Sequence, residues 1–205
     1  MGKRQRQLEL RALADDDLDE VMEIEPVAFG NHHWSRQSFK NELDNRVGRY
    51  YAAVDVEAKQ LVGYSGYWLI GGNGGTEAHI TTLAVHPDCR RRRIGEVLLI
   101  NNILTARQEG AKWLTLEVRV SNEKAQNLYF KFGFKNLGIR PHYYQDNSED
   151  ALLLWTENIF RPEFLQVFTE NLESVKKQIK VNWLAPEELP EEVYDLTEHP
   201  VHSQH

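Results

Sequence analysis

Two groups of residues in this 205-residue chain have the types and spacing to do chemistry. The first is Arg90-Arg91-Arg92-Arg93-Ile94-Gly95-Glu96, which follows the apolar run Leu83-Ala84-Val85 and the stop His86-Pro87-Asp88. Proline cannot donate to a strand ladder and Pro-Asp favours a turn, so a buried strand ends here. From Ile94 the apolar residues Ile94, Val97, Leu98 and Leu104 fall near helical spacing. A strand that feeds a helix through a short loop leaves backbone N–H groups unpaired at the helix start. With the helix dipole these donors form an anion site. Gly95 admits a phosphate close to the backbone, and the arginines add charge and bidentate donors. Four arginines in a row equally describe a nucleic-acid-binding face. The second group is Glu117 with the downstream pair Tyr143-Tyr144. Glu117 shares a strand face with Trp113 and Thr115, while Leu114, Leu116 and Val118 take the other. Such a carboxylate is either a proton acceptor in a cleft or a solvated strand charge.

These residues need a frame, and the chain reads as a mixed α/β layout. Leu8, Leu10 and Ala12 alternate with polar residues as a first strand. Asp15–Asp17 supply capping and first-turn acid for a helix carrying Leu18, Val21, Met22 and Ile24, which Pro26 and Gly30 are expected to end. After the polar loop Asn31–Trp34, Ser35 caps a second helix with Phe39 and Leu43. Tyr50–Val56 and Leu61–Ile70 read as a hairpin, Gly71–Gly75 as a flexible turn, and Ala78–Val85 as the strand entering the arginine loop. A helix over Ile94–Glu109 stops at Gly110, and the strand Lys112–Val118 follows. Ser121 and Asn122 are caps for a helix whose Ala125, Leu128, Tyr129 and Phe132 make an apolar stripe, ended by Gly133. Phe134–Ile139 and Ala151–Trp155 close the sheet around a polar loop, Arg140–Asp150.

After Glu157 the pattern changes. Phe164, Phe168, Leu172, Val175 and Ile179 form a helical stripe over 162–180, and Asn182–His205 is Pro- and Glu-rich with little periodicity, expected to be mostly disordered. The expected organisation is one domain over 1–157 and a C-terminal extension over 158–205. Nine acidic and four basic residues follow Glu157, a net of −5 that leaves only −2 for the rest of a chain at −7. That balance is poor for a general nucleic-acid binder. A single cysteine, Cys89, excludes an internal disulfide framework and fits a reducing compartment. No apolar run could span a bilayer, and no apolar core follows the charged N-terminus, so a cytoplasmic protein is expected. His32, His33, His79, His86 and His142 lack metal-ligand spacing, and no metal is expected.

Arg90 and Gly95 occupy the first and last positions of Arg/Gln-x-x-Gly-x-Gly/Ala, and the stretch resembles the pyrophosphate-binding motif of GNAT acetyltransferases. Arg93 replaces the middle glycine. The element order over Leu8–Glu157 also matches the GNAT fold, a mostly antiparallel central sheet flanked by helices. The run LTLEVRVSNEKAQNLYFKFGFKNLGIRPHYY is similar to the bacterial RimI type within that family, whose members acetylate the N-terminal alanine of a small-subunit ribosomal protein. Glu117, Asn122, Tyr129, Gly133-Phe134, Arg140 and Tyr143-Tyr144 stand where that type has them.

The resemblance implies direct acetyl transfer from acetyl-coenzyme A to a protein α-amino group. It implies donor binding by Leu83, Ala84, Val85, Arg90, Arg91, Arg92, Arg93, Ile94, Gly95, Glu96 and Asn122. Glu117 would be the base, the Tyr129 hydroxyl the acid for the leaving thiolate, and a backbone N–H near Leu83 the oxyanion donor. Trp34, within His33-Trp34-Ser35 where the family often has Pro-Trp-Ser, would face the acceptor with Tyr143 and Tyr144. The blander readings are a core tyrosine at 129, a plain helix cap at Asn122 and edge-strand aromatics at 143 and 144. Other functions compatible with the chain are acetylation of a lysine or small amine, a non-catalytic cofactor-binding or docking module, and a nucleic-acid binder resting on the arginines.

Overall fold

The structure, a computed structural model, describes residues 6–72 and 74–185. Its strands are β1 (Gln7–Ala12), β2 (Gly48–Asp55), β3 (Gln60–Gly72), β4 (Gly75–Val85), β5 (Ala111–Arg119), β6 (Lys135–Tyr144), β7 (Glu149–Trp155) and β8 (Lys180–Asn182). Its helices are α1 (Leu18–Phe29), α2 (Arg36–Leu43), α3 (Ile94–Gln108), α4 (Glu123–Lys131) and α5 (Pro162–Lys176). The strands form one sheet in the order β6-β7-β5-β4-β3-β2-β1-β8. Pairs are antiparallel except β4 with β5 and β1 with β8. The mixed α/β class and the GNAT element order expected for the chain are both present.

The sheet is packed on both faces. Leu18, Val21, Ile24 and Phe39 from α1 and α2 meet Tyr64 and Ala84 on one side. On the other, α3, Tyr129, Phe132 and the α5 stripe cover Leu114, Leu116 and Val118. α3 is buried nearly all round, which suits a helix without a polar face.

Three local expectations change. Pro26 does not end α1, which runs on to Phe29 and stops at Gly30, whose φ of 59° is the left-handed conformation glycine adopts freely. Pro26 stands inside the helix past its first turn, at the cost of the one ladder bond its missing N–H would make. The polar segment expected as a loop from Arg140 is instead strand up to Tyr144. Arg140 pairs with Ala151 and Tyr144 with Glu149, so three intervening residues bulge out of β6. The Asp150 carboxylate accepts from the His142 N–H at 2.8 Å inside this bulge, where His142 has φ 54°. Finally, α5 ends at Lys176, and Ile179 is buried from the following turn.

Beyond it β8 adds a parallel strand to β1, Trp183 packs on the core and Ala185 is buried. Residues 182–185 are thus structured, and the rest of the expected tail lies outside the described residues. Truncation after Gln178 should therefore destabilise the fold. Burying a side chain such as Ile179 is worth about 1.5–3 kcal/mol, and the β8 ladder is lost with it. Urea unfolding of the truncated and full chains measures this; an unchanged midpoint would contradict the packing. Among the described residues no helix is long and apolar enough to cross a membrane.

Candidate active site

β4 and β5 pair only between Thr76–His79 and Ala111–Thr115. Beyond that they part, while β4 keeps its antiparallel ladder with β3 as far as Val85. Opposite the Gly66–Tyr67 step β4 carries an extra residue, Thr81, and such a bulge bends a strand and re-aims its side chains. The gap opens into a cleft of about 520 Å³ whose walls include Thr81–Leu83 of β4 and Leu116–Arg119 of β5. Among the described residues the β5-facing backbone of β4 past His79 has no strand partner. An extended chain carrying amides can pair with such an edge.

Glu117 lies inside this cleft with its side chain 5% exposed. Its Oε2 is 3.2 Å from His79 Nε2. Its Oε1 is 2.9 Å from Arg140 Nη1, off line for a hydrogen bond, which leaves that oxygen able to accept one. Burial pushes the Glu117 carboxyl up, but His79 and Arg140 outweigh it and hold it below the usual carboxylate range. Burial pushes the His79 imidazole down; the Glu117 and Glu77 carboxylates, 3.2 and 3.7 Å from its ring nitrogens, overcome this and raise it to about 9. Thr115 Oγ1 lies 2.9 Å from His79 Nδ1 and donates to Glu77. A polar chain thus runs from Glu77, at 29% exposure, through His79 to Glu117. Sequence reading had not given His79 a role. Its one local signal is Glu77 two residues earlier on the same strand face; the partners on β5 come from the parallel register.

Tyr129 projects from α4 into the same cleft. Its ring packs on Phe134 at 5.4 Å between centroids, and burial raises its hydroxyl above the ordinary tyrosine value, with Tyr144 adding to the effect. The hydroxyl therefore holds its proton near neutral pH and can donate it. Asn122 caps α4, its Oδ1 accepting from the Ala125 N–H at 3.1 Å, while the residue also lines the cleft.

Trp34, His32, Tyr143 and Tyr144 also line the cleft. Tyr143 and Tyr144 meet edge to face at 5.2 Å, and the Arg119 guanidinium lies 3.8 Å over the Tyr144 ring. Arg119 also binds both oxygens of Asp146 at 2.9 Å and Glu149 at 2.9 Å, which pins the hairpin carrying the tyrosines. Trp34 is held from behind by Phe39, and its backbone N–H donates to Glu25 at 3.3 Å. Glu25 is buried at 1% exposure, and burial lifts its carboxyl to about 7 despite the neighbouring Tyr64 hydroxyl and Trp34 N–H. Glu25 and Arg119 were not singled out in the sequence.

The arginine loop lies outside the residues that line the cleft. It is shaped by Arg91 at φ 59° and Arg93 at φ 61°. A left-handed non-glycine residue costs about 1–2 kcal/mol, which accounts for a motif with glycine at the Arg93 position. Gly95 is packed: a Cβ there would stand 3.4 Å from Leu128 and 3.8 Å from Val85.

Several side chains expected on the donor are engaged by other parts of the chain. Arg93 is bound to Glu96 and Ser174, and Glu96 to Arg93 and Lys131. Ile94 is buried in the core, and Ala84 points into the α1–α2 side. Arg90, Arg91 and Arg92 are exposed, and Leu83 and Val85 pack between β4 and the α3–α4 layer. Among the described residues no cluster of His, Cys, Asp and Glu is arranged to hold a metal ion.

A strand pair splayed over such a cleft, with a glycine-containing loop at a helix head, is the architecture of one protein family. The acetyltransferase (GNAT) family model matches residues 16–134, and the chain belongs to that family. A Bacillus subtilis (strain 168) protein provisionally assigned as a ribosomal protein bS18-alanine N-acetyltransferase is 38% identical over 146 residues, covering 71% of this chain and 93% of its own length. The N-alpha-acetyltransferase RimI of Mycobacterium tuberculosis is 33% identical over 141 residues, 68% of this chain and 86% of that one. The crystal structure of the ribosomal-protein-S18-alanine N-acetyltransferase from Escherichia coli superposes with a TM-score of 0.64 at 27% identity, over 74% of this chain and 94% of that chain. The chain is an acetyltransferase, and the RimI-type resemblance read from its second half agrees with these relatives.

Proposed function

We propose that this enzyme transfers acetyl from acetyl-coenzyme A to the α-amino group of a protein, with the N-terminal alanine of ribosomal protein bS18 as its acceptor. One observation carries the reading: Glu117 of β5, Tyr129 of α4 and Tyr143 and Tyr144 of β6 come from three different elements and line a single cleft beside the edge of β4 that parts from β5. The names of the relatives support the acceptor. The donor would lie along the backbone of Leu83–Val85, with its diphosphate on the N–H groups at the head of α3 and its arm near Asn122. Acetyl-coenzyme A supplies an activated thioester there.

The amine nitrogen bonds to the acetyl carbon and the carbon–sulfur bond breaks. A protein ammonium sheds two protons in forming the amide. One is taken by Glu117 and passes to solvent, and the other balances the proton that Tyr129 gives the thiolate. We assign residues 1–157 to the catalytic unit, 158–205 to a C-terminal addition whose described part, 158–185, packs onto it, and the cytoplasm as the compartment.

The test is acetylation of a peptide with the acceptor's N-terminal sequence, beginning with alanine, followed by mass-spectrometric localisation of the acetyl group. Modification at the α-amine is expected, with none on the same peptide carrying a blocked N-terminus and free lysines. Equal lysine acetylation would overturn the acceptor assignment. On the donor side, Gly95→Asp places bulk against Leu128 and negative charge where the diphosphate approaches. It should raise the acetyl-coenzyme A KM by about tenfold or more while circular dichroism is unchanged. Unaltered coenzyme A binding by calorimetry would remove the diphosphate from this loop.

A further inference from the structure

The Arg93 side chain joins the arginine loop to the C-terminal helix. Arg93 Nη1 donates to the Ser174 carbonyl of α5 at 2.6 Å and lies 3.0 Å from the Ser174 hydroxyl oxygen. Its Nε and Nη2 donate to the two oxygens of Glu96 at 3.0 and 2.7 Å. Lys131 at the end of α4 reaches the same carboxylate at 2.6 Å, and Asn171 of α5 donates to the Lys131 carbonyl at 3.0 Å. The Arg93 and Glu96 side chains are each 15% exposed, so this network is largely shielded. α5 begins beyond residue 134, where the family match ends. The loop's departure from the glycine motif and the additional helix therefore meet in one contact.

The geometry points to Arg93 as a positioning residue: a brace through which α5 holds the head of α3 in its donor-binding form, so that docking of α5 and binding of the acetyl donor are coupled. This rests on the reading of the loop as the donor's diphosphate site. A residue at φ 61° directs the N–H groups of the first turn of α3. Glycine takes that conformation freely, whereas arginine has to be held in it. The guanidinium provides the hold, because its planar fork grips Glu96 with two nitrogens and still reaches Ser174 with the third. Since binding equilibria are reciprocal, whatever α5 does for the donor the donor does for α5.

Hydrogen exchange over 162–182, in the full chain with and without coenzyme A, tests the coupling in wild type and Arg93→Gly. Without ligand, exchange in α5 should be about tenfold faster in Arg93→Gly, because the tether is gone. Coenzyme A should slow α5 exchange about fivefold in wild type and leave it unchanged in Arg93→Gly. Arg93→Gly should still bind coenzyme A within about fivefold of wild type by calorimetry, since it sheds the brace and the backbone strain together. Arg93→Ala, which loses the brace and keeps the strain, should raise the acetyl-coenzyme A KM about tenfold with kcat within twofold. Equal α5 exchange in the two proteins overturns the brace. So does loss of coenzyme A binding in Arg93→Gly with α5 exchange unaltered, which would make Arg93 a phosphate ligand. If wild type binds coenzyme A and α5 does not respond, the coupling alone falls. If wild type binds none, the donor-site reading falls and the coupling with it.

Discussion

Tyr129→Phe is expected to lower kcat by about 10²–10⁴-fold, the usual worth of a positioned general acid. The ring is the packed part of the residue, set against Phe134 and buried at 7% exposure, and phenylalanine preserves it. The hydroxyl lies at the cleft, with its proton retained by burial. Removing it takes away the donor for the departing thiolate and almost nothing from the fold. Melting temperature should move by less than about 2 °C, because no well-formed bond is lost. Coenzyme A affinity should be nearly unchanged. The decisive measurement is kcat at saturating donor with chemistry shown to limit turnover. Near-wild-type kcat would return Tyr129 to a purely structural place in the core.

Glu117→Gln should cost about 10²-fold in kcat/KM at pH 6.5 and much less at pH 9.5. The sign follows from the groups present. A protein α-ammonium titrates near 8, so below that pH the substrate arrives charged and must lose a proton in the site. In wild type the Glu117 carboxylate stays ionised throughout this range, because His79 and Arg140 hold its pKa down. It is therefore ready to accept from the ammonium or from an intervening water at every pH tested. His79, raised to about 9 chiefly by Glu117 and Glu77 against the effect of burial, is charged over most of the range. As an imidazolium it has no lone pair for a second proton, so it holds Glu117 ionised and leaves that carboxylate as the acceptor.

In Glu117→Gln the acceptor is lost and His79 keeps only Glu77 as a carboxylate partner, so its pKa should fall. Below pH 8 the variant's activity should follow the fraction of neutral amine, rising about tenfold per pH unit. The wild-type profile should be flatter. Parallel profiles for the two enzymes, offset by a constant factor at all pH values, would show that Glu117 organises the site without taking the proton. Nuclear magnetic resonance titration of the imidazole provides a second check, with the His79 midpoint expected to be lower in the variant.

Much of the frame is legible in the chain because it is written in local periodicity. The alternation Lys112–Val118 put Glu117 and Thr115 on one face and Leu116 on the other, as they stand in β5. The stripe Ala125, Leu128, Tyr129 and Phe132 became α4, with Asn122 as its cap. The arginine motif and the run around Glu117 and Tyr129 led to the family, since spacing within a short segment survives folding unchanged. The misjudged segments have local causes. α1 carries Pro26 inside it and runs on to Phe29, and the polar run after Arg140 hides a bulged strand behind loop-like composition.

What only the tertiary structure decided are the contacts between segments distant in the chain. His79 meets Glu117 because β4 and β5 pair in parallel for a few residues and then part. Arg140 reaches the same carboxylate from β6, at the far edge of the sheet. Arg93, which beside three other arginines reads as a phosphate ligand, turns to Ser174 on a helix about eighty positions later. β8 finds β1 from the opposite end of the chain. Side-chain period is set by neighbours a few bonds away, so sequence reveals it. The partner of a buried charge is set by strand register and by which helix covers the sheet, and these follow from closing the whole core at once.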